Sequence, residues 1–418
     1  MKRYVYIIMA CAVMFCVSCR KEAADMPDPN LDFYYGYFDY AHQFQAVWTG
    51  INNSYVHWSE DTVDWDARYK RLIPKFMKLD SIVADTTLPD SLRSVPFSTF
   101  SKLYKELLHG LRDHHMTVRV RNIVPAPSDE QEVFTYSPGR EEVASRDYYH
   151  PIVDMSVEYK ALALLGRQGR VTNLMYDSCM VEGTQKFSVI ACLIDGKYAY
   201  LRLSNYFLTE LTINENGLNE EEQRVLNVYK AWLSLCFRST TEGVILDNRG
   251  NTGGIVNDLQ CVISPFLGAD QTPAYSRTKN GLHRLDYTPW APVVIHKAEQ
   301  SRDDLKYVVL ADVWSVSMGE MTTAAVKAMP KGYVIGERTF GGHGPLNGNF
   351  GATFSGTFGN IDGYHYVYTS SHQLKFEDGG ILEGIGITPD REVLLDLDLL
   401  RESHIDNQLH AALEYLNN

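Results

Sequence analysis

Seven cysteines and 13 histidines are spread along the 418 residues, yet beyond the N-terminal segment there is no Cys-x-x-Cys, and nowhere a His-x-His or His-Glu-x-x-His. Zinc sites and helix-borne metalloprotease sites need such spacings, so the sequence does not point to a metal enzyme. The spacings of a phosphate-binding loop and of the Gly-x-Gly-x-x-Gly fingerprint are also missing, which argues against a nucleotide ligand. Positive charge is scarce: 39 Lys and Arg face 52 Asp and Glu, a net charge of −13, which disfavours a nucleic-acid partner. Three cysteines crowd the N-terminus, leaving Cys179, Cys192, Cys236 and Cys261 in apolar surroundings. Two disulfides or buried free thiols are both open readings there.

What is present is ordinary for a soluble globular protein, with 45% hydrophobic and 22% charged residues. The N-terminus stands apart. Lys2 and Arg3 precede an apolar stretch, Tyr4 to Val17, that is short for a membrane span. It ends in Cys16-Val-Ser-Cys19, which resembles a bacterial lipobox with Cys19 as the lipidated residue; Cys16 stands where Leu is usual. A plain secretory signal is the alternative, and either one takes the chain out of the cytoplasm. The expectation is a cell-envelope protein held by lipid at Cys19, with residues 20–30, containing Pro27 and Pro29, as a tether.

Residues 31–122 read as a helical domain. Phe44, Val47, Trp48 and Ile51 fall at helical spacing, Asp64 opens a second helix, and Leu103, Leu107 and Leu111 share one face of a third. Residues 123–195 are broken by Pro125, Pro127, Pro138 and Gly139; strands around Val181 to Ile194 give a weak signal, and pattern alone assigns the region no fold. From 196 to 418 strands and helices alternate: a helix from Asn219 to Phe237 with Glu222 completing a capping box, a strand Gly243 to Asp247, a helix Ile255 to Leu267, and strands at Tyr307 to Asp312 and Tyr333 to Ile335. That alternation predicts an α/β domain with a mostly parallel sheet. Asn349 to Leu374, containing Asn360-Ile-Asp-Gly363, reads as a β-hairpin.

Two stretches carry chemistry. Strand Val244 to Asp247 runs into Asn248-Arg-Gly-Asn-Thr-Gly-Gly254, where glycines let backbone N–H groups approach a ligand. The strand from Tyr307 turns at Trp314-Ser-Val-Ser317 into an Ala-rich helix, which puts the Ser317 hydroxyl beside unsatisfied helix N–H groups. That is where a nucleophilic serine finds donors for its oxyanion. A base is then required, and His115, in Leu111-Arg-Asp-His-His115 before the strand Val118 to Val120, is of the type suited to proton transfer near neutral pH.

These stretches, with Ile335-Gly-Glu-Arg-Thr-Phe-Gly-Gly342 and Leu382-Glu-Gly-Ile-Gly-Ile-Thr-Pro-Asp390, occur in an order that resembles the S41 serine peptidases of C-terminal-processing and tricorn-core type. The resemblance is strong from about 197 to 393 and weaker in the helical region. It implies a ClpP/crotonase-like core and cleavage of peptide or unfolded protein substrates. Processing members place a lysine 25 positions after the serine; here that position is Gly342, with His343 beside it. The tricorn-type pattern instead implies a Ser317–His115–Glu383 relay, with the N–H groups of Met318 and of Gly253 or Gly254 as the oxyanion hole. The carboxylate-binding loop of the PDZ domain common in the family is absent from 125–195, so any PDZ-like unit there is degenerate.

Two other readings remain open. A catalytically inactive chain of the same fold would bind peptides or hydrophobic ligands. An α/β-hydrolase esterase would read Ser315-Val-Ser-Met-Gly319 as its nucleophile elbow and draw a histidine from after the serine, at His365, His372 or His404.

Overall fold

The structure, a computed structural model, describes residues 39–125, 133–181, 183, 185–346, 354–359 and 363–418. Cys19 and the 20–30 segment lie outside the described residues. No helix among the described residues is long and apolar enough to cross a membrane.

Helices α1 (Tyr40–Ser54), α2 (Trp65–Ala84) and α3 (Phe97–Leu108) open the fold. Asp39 and Asp64 cap the first two, accepting the N–H groups of His42 and Ala67. Phe44 stacks on Phe76 at 4.5 Å, and Trp48 on Trp65 at 6.0 Å. Their core also takes in part of a small sheet. The chain leaves α3 into β1 (Thr117–Arg121), which pairs with β2 (Val133–Tyr136) on one side and β12 (His365–Tyr368) on the other. β11 (Phe358–Gly359) completes the sheet, and Phe358 and Val367 enter the helical core.

The main sheet has seven strands in the order β14 (Arg391–Glu392), β10 (Gly332–Gly336), β9 (Lys306–Ala311), β6 (Gly243–Asp247), β5 (Tyr198–Leu203), β4 (Gln185–Ile194) and β3 (Val171–Val181). Pairs from β14 to β5 are parallel, and the last two are antiparallel. Alternate side chains serve two cores. Val244, Leu246 and Val309 face one layer with α5 (Glu220–Cys236) and α6 (Met318–Lys327). Ile245, Val308 and Leu310 face the other, with α4 (Met155–Arg167) and α7 (Asn407–Asn417). The Asn219 capping box forms, its side chain taking the N–H of Glu222 while Glu222 takes that of Asn219.

Three expectations need correcting. Residues 171–194 are not part of a PDZ-like or irregular insertion; they supply two strands of the main sheet, so the division at 195/196 cuts through one layer. The expected helix from 255 to 267 is broken into a short turn, Asp258–Val262, and a 3-10 turn, Ser264–Phe266, with Pro265 removing a backbone donor; the Asp258 carboxylate pins the first turn to the N–H groups of Leu208 and Thr209, each at 2.7 Å. The alternating stretch after 349 divides: β11 and β12 pair as a hairpin, but β13 (His372–Phe376) joins a separate sheet with β7 (Gln271–Thr278) and β8 (Ala291–Ile295). The four cysteines from 179 to 261 are free thiols.

Candidate active site

The glycine turn and the serine turn leave the C-terminal ends of neighbouring parallel strands, β6 and β9, which is where open α/β sheets gather ligands. The glycine turn is braced from below. Arg249 pairs with Asp247 at 2.6 Å and Asp406 at 2.7 Å, all three buried, so this arginine is a clamp rather than a site residue. Ser315 is also structural: its hydroxyl takes the Asp312 N–H at 3.0 Å and donates to the Asn248 carbonyl at 2.9 Å.

Ser317 caps α6 with φ 56 and ψ −116. The other non-glycine residues with positive φ among those described are Asn173, Asp195 and His404. Those types tolerate a left-handed backbone; serine at this ψ is a strained outlier, costing on the order of 1–3 kcal/mol. Its own hydrogen bonds hold it there: the N–H reaches Gly342 O at 2.7 Å, and its carbonyl accepts from Glu320 and Met321 at 2.9 and 3.0 Å. Gly253 makes the approach possible. A Cβ at Gly253 would sit 2.5 Å from Ser317 Cβ, 3.0 Å from Oγ and 3.1 Å from Met318 N.

The two expected glycine donors are not equivalent. The Gly253 N–H is already bonded to Asn251 Oδ1 at 2.9 Å, so Gly253 is corrected from donor to spacer. The N–H groups of Gly254 and Met318 enter no hydrogen bond among the described residues. Both residues line one cavity of about 680 Å³ with Ser317, His115 and His343.

His115 arrives on the bend between α3 and β1. Asp113 fixes that bend, its carboxylate accepting from His115 N–H at 2.9 Å, Thr369 Oγ1 at 2.6 Å, and Ser370 N–H and Oγ at 2.7 and 3.1 Å. Burial alone would raise the Asp113 carboxyl, but His57, His115 and these donors outweigh it and hold it below the usual carboxylate range. The His115 ring is lowered by burial, partly offset by Asp113, and its Nδ1 is buried without a partner. Gly342 ties this ring to the serine: its carbonyl holds the Ser317 N–H, and a Cβ on it would lie 3.5 Å from His115 Cε1. His114 turns elsewhere, with Nδ1 at 2.9 Å from the Phe340 carbonyl.

Glu383 is fully buried beside these groups, but it does not meet the His115 ring as the relay expectation required. Its oxygens accept the N–H groups of His114 at 3.0 Å, His343 at 3.1 Å and Gly344 at 2.9 Å. Burial, with Asp113 and Glu320 nearby, raises its carboxyl well above the ordinary value. Its hold is therefore on the backbone carrying both histidines.

Sequence reasoning gave no role to three buried groups at this site. Asp113 and Glu320 stood within the Leu111-to-His115 and Ser315-to-Glu320 patterns; His57 gave no such signal. Glu320 accepts from Thr339 Oγ1 and Gly341 N–H, and burial raises its carboxyl to about 7. His57, Asp113 and Glu383 bring ligand-type atoms within 4.8 Å of one another. Both carboxylates are already taken up by three or four donors, so the cluster serves as an anchor for loops rather than as a metal cage. His343 is buried between carboxylates, its Nδ1 3.9 Å from Glu320 Oε2 and its Nε2 3.9 Å from Glu383 Oε2. His365 and His404 are not among the cavity-lining residues, whereas His372 is.

The chain is similar to known proteins in its core and in its fold. The model of peptidase family S41 matches residues 197–393. A Parabacteroides merdae protein proposed to be a peptidase has a similar crystal structure, with 18% identity, TM-score 0.58, and coverage of 89% of this chain and 95% of that one. At that identity the likeness is one of fold. Mature CPAF bound to lactacystin is 11% identical over 91% of this chain and 97% of that one, with TM-score 0.48. The tricorn protease is 14% identical over 91% of this chain and 37% of that one, with TM-score 0.45. Residues 197–393 thus carry the core of a family S41 peptidase.

Proposed function

We propose that this peptidase is a serine endopeptidase in which Ser317 is the nucleophile and His115 the base. The observation that carries the reading is the Ser317 backbone, held at φ 56 at a helix N-terminus inside a cavity. Strain of this kind persists where the surroundings over-determine it, and at this position it presents the hydroxyl to a ligand.

Ser317 Oγ attacks a peptide carbonyl carbon while His115 takes the hydroxyl proton. The carbonyl oxygen becomes an oxyanion held by the N–H groups of Met318 and Gly254. When the C–N bond breaks, His115 passes the proton to the leaving amine, and water then releases the acyl group by the reverse path. Glu383 completes the set as a positioning residue acting through the amides of His114, His343 and Gly344. Burial keeps the His115 imidazole neutral and able to accept a proton.

Export with lipid attachment at Cys19 belongs to the same proposal and rests on the Lys2-to-Cys19 pattern. It predicts palmitate incorporation that Cys19→Ala abolishes. The hydrolytic reading is tested by digesting an unfolded protein with the wild-type chain, Ser317→Ala and His115→Ala. Each substitution is expected to reduce turnover by several orders of magnitude. Undiminished cleavage by either variant would refute it, and a wild-type chain that binds peptides without cleaving them would favour the inactive binding protein.

A further inference from the structure

The three-stranded sheet β13-β7-β8 forms a wall of the cavity beside Ser317, and its alternation decides what that wall presents. Paired residues share a face, so the register Leu374↔Ser276 and Ala274↔Val293 puts Ser276, Leu374 and Val293 together. All three line the cavity. The cations of the sheet occupy the other face. Arg277 lies 3.9 Å from the Tyr287 ring centroid and 4.4 Å from that of Trp290, while Lys375 lies 4.8 Å from Trp290. These contacts hold both charges away from the cavity.

The facing wall is the first turn of α6. Met318 and Met321, three residues apart, share the helix face that lines the cavity. The acidic residue between them, Glu320, is fully buried and bonded to Thr339 and Gly341 instead. Among the described residues, the cavity is lined by no Asp, Glu, Lys or Arg side chain. Its volume, about 680 Å³, lies within the ~300–1,000 Å³ of sites that enclose small ligands.

We infer that this cavity selects peptides bearing a large uncharged apolar side chain, of the Leu, Met or Phe type, next to the bond presented to Ser317. The inference rests on the hydrolytic reading only for the identity of that bond. An ammonium, guanidinium or carboxylate entering the cavity would lose its hydration and meet no counter-charge, whereas an apolar side chain meets methionine, leucine and valine. Val293 and Ser276 are the specificity-determining positions, because they stand on the sheet wall and are only partly buried.

The test uses binding, so that it does not depend on turnover. Fluorescein-labelled peptides differing at one position (Leu, Met, Phe, Lys, Arg, Asp or Glu) are titrated into the full chain carrying Ser317→Ala and followed by anisotropy. The expected result is at least ~100-fold tighter binding of the apolar set. Val293→Asp and, separately, Ser276→Asp in the same background should each strengthen Lys and Arg peptides by at least ~10-fold and weaken Leu peptides. Equal or tighter binding of the charged peptides to the Ser317→Ala chain would overturn the inference, as would an unchanged preference in both acidic variants. Labelling of the unsubstituted chain by a fluorophosphonate is read alongside. Apolar-selective binding without labelling leaves this inference standing and removes the hydrolytic reading; labelling with charge-selective binding does the reverse.

Discussion

Gly253→Ala separates backbone strain from chemistry in one substitution. Gly253 has φ +101, so alanine there is strained by roughly 1–2 kcal/mol before any contact is considered. The new Cβ would also lie 3.0 Å from Ser317 Oγ and 3.1 Å from Met318 N, tighter than ordinary carbon contacts to either atom. It would thus crowd both the nucleophile and an oxyanion donor. Losing one such donor typically costs about 2.7–4 kcal/mol in the barrier, so the rate of acylation should fall by at least ~10²–10³-fold. Gly169→Ala supplies the control: its φ is +76 and no atom lies within 4 Å of the added Cβ. That variant should lose a similar ~1–2 kcal/mol of stability and keep its rate. The assay is the second-order rate of fluorophosphonate labelling beside a thermal melt for each chain. Should Gly253→Ala label within roughly threefold of wild type while folded, the placement of the oxyanion beside Met318 and Ser317 is wrong.

Other perturbations probe the surroundings. Because burial depresses His115 below 6.5, the base stays neutral as pH falls past that value, so the acid limb of the labelling rate should lie below pH 6.5; a limb at or above 6.5 would contradict the buried setting. Glu320 is raised from 4.5 to about 7, so its stabilising contribution is complete below pH 4.5 and is lost as pH rises through 7. Relative to wild type, Glu320→Gln should therefore gain about 3 kcal/mol of stability between pH 4.5 and 8, read from denaturant melts, and a pH-independent difference would refute it. Glu383→Ala strands three buried N–H groups and should lower the melting temperature as well as the activity, since each orphaned donor costs about 1–3 kcal/mol. Dithiothreitol should leave the melting temperature unchanged, because Cys179, Cys192, Cys236 and Cys261 are free.

The parts of the fold that were legible are those with short-range causes. Asn219 and Glu222 cap their helix through contacts three residues apart, and Val308 to Leu310 form the apolar run of a strand buried on both faces. In the segment 171–194 only a weak strand signal around Val181 to Ile194 was legible; its place in the main sheet was not, because β4 joins that sheet through long-range pairing and β3 carries an irregularity between Thr172 and Met175, with Asn173 at φ 53. At the site, Ser317 was readable from the strand-to-helix turn. The Glu383 contacts were not, because they join residues 39 to 269 positions apart through backbone amides that carry no residue-type signal. The committed N–H of Gly253 was hidden for the same reason, since only coordinates reveal that Asn251 already occupies it.

The most direct test of the central claim is peptide mass mapping of the wild-type and His115→Ala chains after brief treatment with a fluorophosphonate. The account predicts one adduct on Ser317 in the wild type and almost none in His115→Ala. An adduct on a different serine, or equal modification of Ser317 in both chains, would contradict it.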